Sequence, residues 1–105
     1  AAGRITVTAL QSEYEALLAQ QRSVLQTLLL KKDKHAGLLE YYTKTALPQA
    51  KIINDNVSLQ LANGAISYLE WIMLTNQTIS IKAEYINAIS EWNTTAIELN
   101  SYLNN

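Results

Sequence analysis

Ten residues in the last third of the chain alternate steps of three and four without a fault. They are Trp71, Leu74, Thr78, Ile81, Tyr85, Ala88, Trp92, Thr95, Leu99 and Tyr102. A strand repeats every two residues, so this spacing excludes β structure here and predicts a long helix with a heptad seam. A second row runs one residue further round, through Ile72, Ile79 and Ile86, and continues as Asn93 and Asn100. Glu84, Glu91 and Glu98 repeat every seven residues on a polar face. One seam is enough for a two-stranded coiled coil. Two adjacent seams make a wide surface, suited to more than one neighbouring helix.

The first half carries a weaker version of the same period. Leu10, Tyr14, Leu17, Val24 and Leu28 form a stripe, with Leu18, Leu25 and Leu29 beside it. Ser12 and Glu15 have the spacing of a capping box, although the helix is free to begin earlier. The stretch "KKDKHAG", residues 31–37, interrupts the apolar pattern. It reads either as a charged loop or as the exposed part of one long helix. Leu17, Val24, Lys31 and Leu38 keep a seven-residue step across it, which favours the continuous helix. Pro48 removes one backbone hydrogen bond and clashes with the preceding turn, so a kink is expected near residues 44–48. It is not a stop, because Ile52, Ile53, Val57 and Leu61 carry the period onward.

Breakers are scarce. The chain has three glycines and one proline in 105 residues, so each one is informative. Asn63-Gly64 between apolar residues is a strong signal for a two-residue β-hairpin. Within a helical pattern the same pair reads as a helix stop, because Gly adopts the left-handed conformation that ends helices. Ser67 followed by Glu70 fits a capping box for a new helix. The expected fold is therefore all-α: a long antiparallel helical hairpin, coiled-coil-like, with a kink near Pro48. One helix covers about 6–62, the tip 63–66, and a second helix about 67–103, within a hairpin segment 6–105. Residues 1–5 are expected to be a cloning remnant, the cut end of a longer chain, or a disordered start. At 1.5 Å per residue the arms would be roughly 85 Å and roughly 55 Å long. The unmatched part of the first arm needs another partner, or a fold-back near 31–37 into a three-helix bundle.

Candidate chemistry is thin. There is no cysteine, and His35 is the sole histidine. Lys31, Lys32, Leu38 and Leu39 occupy the helical positions where metal partners of His35 would stand. A surface histidine is the simpler expectation, and neither a metal site nor a cofactor is expected. Ser and Thr are plentiful, but no nucleophile elbow or phosphate-binding glycine loop occurs, so no enzyme is expected. The net charge is −1 and no basic run exceeds Lys31-Lys32, which argues against nucleic-acid binding. No apolar run reaches the roughly 18–20 residues that span a bilayer. Glu70 is explained by the cap and by the helix dipole at a first turn.

Residues 45–103 nevertheless resemble a family. Leu47-Pro48-Gln49-Ala50, then Gly64-Ala65-Ile66-Ser67-Tyr68-Leu69-Glu70, then Tyr85-Ile86-Asn87-Ala88 and Trp92-Asn93 are similar, in order and spacing, to the second repeat of TolC-like outer-membrane efflux proteins. The heavy-metal branch (copper/silver and cobalt/zinc/cadmium) is the nearest in pattern. Residues 10–44 fit the upstream part of the first long helix by pattern alone.

The resemblance implies a homotrimeric channel whose α-helical barrel crosses the periplasm, of which this chain is a fragment. It implies partners as well: a periplasmic adaptor protein and an inner-membrane RND-type pump, to which such a segment is sometimes fused. It places Asn63, Gly64, Ala65, Ile66 and Ser67 at the hairpin tip, where adaptors dock, and Glu70 at a pore-facing constriction. Met73 stands where the family often has a second acid. A different class of reading is a spectrin-like three-helix or coiled-coil interaction module, which needs a true break at 31–37.

Overall fold

In the computed structural model the backbone is described for residues 2–104 and the side chains from Thr6 to Asn104. Helix α1 spans Ala2–Tyr41, a π-helical turn follows at Tyr42–Ala46, α2 spans Leu47–Ala62 and α3 spans Tyr68–Asn104. No strand occurs among the described residues. The chain is an antiparallel helical hairpin measuring 90 × 21 × 16 Å. The backbone is helical from Ala2. The expectation for residues 1–5 otherwise lies outside the described side chains.

The first arm is unbroken through residues 31–37, so the fold-back into three helices does not occur. The disturbance near Pro48 takes a definite form. Proline cannot donate to the carbonyl four residues earlier, and its ring pushes against that carbonyl. The helix widens just before it, and the Leu47 N–H reaches back to the Tyr42 carbonyl. The Thr43 hydroxyl donates to the carbonyls of Leu39 (2.9 Å) and Glu40 (3.2 Å), at the entry to the turn.

The π turn also moves the seam. Before it, Leu25, Leu28, Lys32, His35 and Leu39 are buried or half-buried, and within it Tyr42 and Ala46 are. After it, Leu47, Ala50, Val57 and Leu61 are. The step from Tyr42 to Ala50 is one residue more than a heptad. A single extra residue in a π turn absorbs that difference and keeps one face of the arm on α3.

On α3 the expected seam is the observed one: all ten of its residues are buried or half-buried. The core is slender. Among buried apolar residues only Leu28, Val57 and Leu99 are larger than alanine; Ala46, Ala50 and Ala88 are the others. Thr78, 3% exposed, is tolerated there because its hydroxyl donates to the Leu74 carbonyl at 3.3 Å.

Polar links hold the arms in register. Tyr42 Oη donates to Glu84 Oε2 at 3.1 Å, and Tyr102 Oη donates to the Gln21 carbonyl at 2.8 Å. Lys32 Nζ lies 5.9 Å from the centre of the Trp92 ring, a cation–π distance.

The first-arm stripe is corrected by one row except at Leu28, which is buried as expected at 7% exposure. Leu10, Tyr14 and Leu17 are more than half exposed, and Val24 and Leu38 are more than a third exposed. The row Leu18, Leu25, Lys32 and Leu39 turns inward instead. Lys32 and His35 belong to the seam because a lysine stem and an imidazole ring are largely apolar bodies with polar tips. His35 is therefore not a surface histidine. Its side chain is 13% exposed and its Nδ1 lies 3.7 Å from Glu91 Oε2.

Burial pushes the Tyr42 hydroxyl above its ordinary pKa of 10.0, with the Glu84 carboxylate adding to the effect. A raised folded value means that this contribution to stability is complete below pH 10 and is lost as pH rises through the folded value. The melting temperature should fall more steeply above pH 10 in the native chain than in Tyr42→Phe. Parallel curves in a circular-dichroism melt series would remove Tyr42 from this role.

Candidate functional site

The tip is built from two helix-end motifs placed back to back. Asn63 keeps a right-handed conformation, φ −84° and ψ −1°, and closes α2. Gly64 follows at φ 72°, the single positive φ among the described residues. That reversal lets the Gly64 N–H donate to the Leu61 carbonyl at 3.1 Å and the Ala65 N–H to the Gln60 carbonyl at 2.8 Å. These two bonds are the Schellman pattern, which satisfies carbonyls that the helix end leaves free. Asn-Gly is thus a helix stop, and no β pairing is involved.

Ser67 then opens α3. The Glu70 N–H donates to Ser67 Oγ at 3.1 Å, and the Ser67 N–H donates to Glu70 Oε1 at 3.4 Å. Ser67 Oγ also donates to Glu70 Oε1 at 3.1 Å. This is the reciprocal capping box, typically worth about 1 kcal/mol through its serine. Ile66 and Trp71 are both half-buried, at the positions of a hydrophobic staple. Tyr68 stacks on Trp71 with ring centres 5.7 Å apart. The tip is therefore rigid without any contact outside the hairpin.

The predicted site residues are brought together in this one structure. Asn63, Gly64, Ala65, Ser67 and Glu70 are exposed, and Ile66 is half-buried. Glu70 has one carboxylate oxygen engaged by the cap. Tyr68 and Leu69, each 66% exposed, and Met73, 57% exposed, form an apolar shoulder beside it. That shoulder is not among the residues expected at the tip. Its signal was available, since residues 68, 69 and 73 lie off the seam defined by Trp71 and Leu74.

Shallow depressions lie along one side of the hairpin. Glu70, Met73, Gln77 and Glu84 line two overlapping ones on α3 near the tip. Further along, Lys31, His35, Glu91 and Glu98 line a separate, open one of about 310 Å³ between α1 and α3. Glu70, Gln77, Glu84, Glu91 and Glu98 are seven residues apart, so they form one straight row along this side. On the opposite arm Glu40 accepts from Lys44 Nζ at 2.8 Å. That bond holds the Glu40 carboxyl below its usual range and the Lys44 ammonium above its own. Both groups are exposed, so solvent screens the pair. Among the described residues no three His, Asp or Glu side chains are placed to hold one metal ion. No helix among them is long and apolar enough to cross a membrane.

Comparison of the chain with protein-family models, with curated proteins and with solved structures returns no match.

Proposed function

We propose that the chain is a wall segment of a helical conduit, the periplasmic channel of a tripartite, RND-type efflux system for metal cations. Its tip docks the adaptor or the pump. The segment catalyses nothing in this reading, and the pump supplies the energy. Further copies complete the wall, as a homotrimer in the complete protein, in a cell-envelope location.

One observation carries the reading. The hairpin is 90 Å long, its tip is self-capped, and its outer rows are left uncovered along that length. A rod with a rigid end and unpartnered sides is suited to packing among like rods and to presenting its end. The resemblance of residues 45–103 supplies the rest: Gly64 at the docking end and Glu70 at the constriction. A compact three-helix module would need the break at 31–37, and the helix is continuous there.

The test is metal tolerance of cells carrying Glu70→Lys or Gly64→Asp in the complete protein. Each variant is expected to lower tolerance severalfold while the protein accumulates normally. Unchanged tolerance with normal accumulation would overturn the tip assignment.

A further inference from the structure

Asn63-Gly64 serves the tip as a helix stop, but the same pair carries a chemistry that the stop does not use. The backbone nitrogen that follows an asparagine can attack the side-chain amide, and glycine is the residue that crowds that nitrogen least. Asn63 is the one asparagine in the chain followed by glycine. Asn54, Asn56, Asn76, Asn87, Asn93 and Asn100 precede residues with side chains and lie inside α2 or α3. There, helical bonding holds the next N–H on the carbonyl four residues back.

Asn63 and Gly64 are both exposed, and no neighbouring atom lies within 4 Å of a Cβ built on Gly64. Packing therefore leaves room for a ring to close between the two residues. The backbone is what prevents it. Ring closure needs the Asn63 Cβ and the Gly64 nitrogen nearly eclipsed about the bond from Cα to the carbonyl carbon. At ψ −1° the Gly64 nitrogen eclipses the Asn63 backbone nitrogen instead, and tetrahedral geometry sets Cβ about a third of a turn away. The Gly64 N–H is also engaged, donating to the Leu61 carbonyl at 3.1 Å. The Ala65 N–H, donating to the Gln60 carbonyl at 2.8 Å, holds the same turn shut.

We infer that Asn63 is a self-modification site, latched by the closed turn and released when the turn opens. Once ψ at Asn63 rotates, the Gly64 nitrogen bonds to Asn63 Cγ. The bond from Cγ to Nδ2 breaks, and the Gly64 amide proton leaves with Nδ2 as ammonia. Water then adds to one of the two ring carbonyls flanking the Gly64 nitrogen and cleaves its bond to that nitrogen. Opening at Cγ leaves aspartate at position 63. Opening at the main-chain carbonyl leaves isoaspartate, with the chain routed through the side chain. Nothing is oxidised or reduced, and the loss of ammonia makes the step one-way. Either product puts a carboxylate at the C-terminal end of α2, which is the negative end of the helix dipole. Isoaspartate also adds a carbon to the backbone before Gly64, so the bonds to Leu61 and Gln60 no longer close together. A self-capped tip thereby becomes an open one. The inference stands apart from the conduit reading, because the chemistry needs only this chain and water.

The test follows the native chain by mass spectrometry at mildly alkaline pH, folded and in guanidinium chloride. The unfolded chain is expected to show the mass gain of an amide turned to an acid. Fragmentation should place the gain at Asn63, with aspartate and isoaspartate both present. In the folded chain the same gain should be more than about tenfold slower, because only the open fraction reacts. Asn63→Gln should block it in both states, since glutamine closes a larger ring more slowly. The purified isoaspartate chain should lose amide protection at Gly64 and Ala65. It should also melt below Asn63→Asp, which carries the charge without the extra carbon. Equal rates in the folded and unfolded chains overturn the latch. Modification in guanidinium chloride that is no faster at Asn63 than at the other asparagines overturns the site. An isoaspartate chain whose tip amides exchange as slowly as the native ones overturns the opening of the tip.

Discussion

Leu99→Ala is expected to destabilise the hairpin by about 2–4 kcal/mol, the usual range for emptying a buried leucine site. Leu99 is 7% exposed and is one of three buried apolar side chains larger than alanine. A globular domain spreads its core over many such groups. Here the loss falls on a short inventory, near the open end where α3 meets α1. Small domains have about 5–15 kcal/mol in hand, so the fraction lost is large. Ile97, 67% exposed on the same helix, is the control. Ile97→Ala should stay within about 0.5 kcal/mol of the native chain. Urea unfolding followed at 222 nm measures both, and equal losses from the two would contradict the assigned core.

Gly64→Val is expected to cost about 2 kcal/mol, with Gly64→Asn costing under about 1 kcal/mol. No atom lies within 4 Å of a Cβ built on Gly64, so the penalty is conformational and not a clash. At φ 72° a β-branched residue is an outlier, whereas asparagine visits that region readily. If the chain instead leaves the left-handed conformation, it gives up the bonds to Leu61 and Gln60. The same unfolding measurement separates the two substitutions. A valine variant as stable as the asparagine one would show that the reversal at Gly64 is dispensable.

These two sites differ in how plainly the sequence announced them. The α3 seam could be read residue by residue, because Trp71 to Tyr102 never miss a step. The tip was also legible, because Gly64 and the Ser67–Glu70 pair each have a single strong local meaning within a helical pattern. The first arm was not. Its inward row contains Lys32 and His35, which hydropathy scores as surface residues. Their partners, Trp92 and Glu91, lie on α3, so the choice between rows was a tertiary one. The π turn then shifted the seam by one residue. Pro48 signals that something happens near it, but proline chemistry alone does not say whether the helix bends, stops or widens. The apolar shoulder of Tyr68, Leu69 and Met73 lies off the seam, so the heptad pattern does not mark it.

The hydrogen bond from Tyr102 to Gln21 joins residues 81 apart in sequence, whereas those at the tip join neighbours. Between these limits the separation grows steadily along the rod. Closing the chain is therefore cheapest at Gly64, and each further layer adds only a small increment of loop entropy. The arms should zip from the tip and fray from the other end. Amide hydrogen exchange should show this as protection that falls with distance from Gly64, least at Tyr102 and in the exposed stretch of α1 before Leu18. Uniform protection along both arms would instead mean that the hairpin opens as one unit.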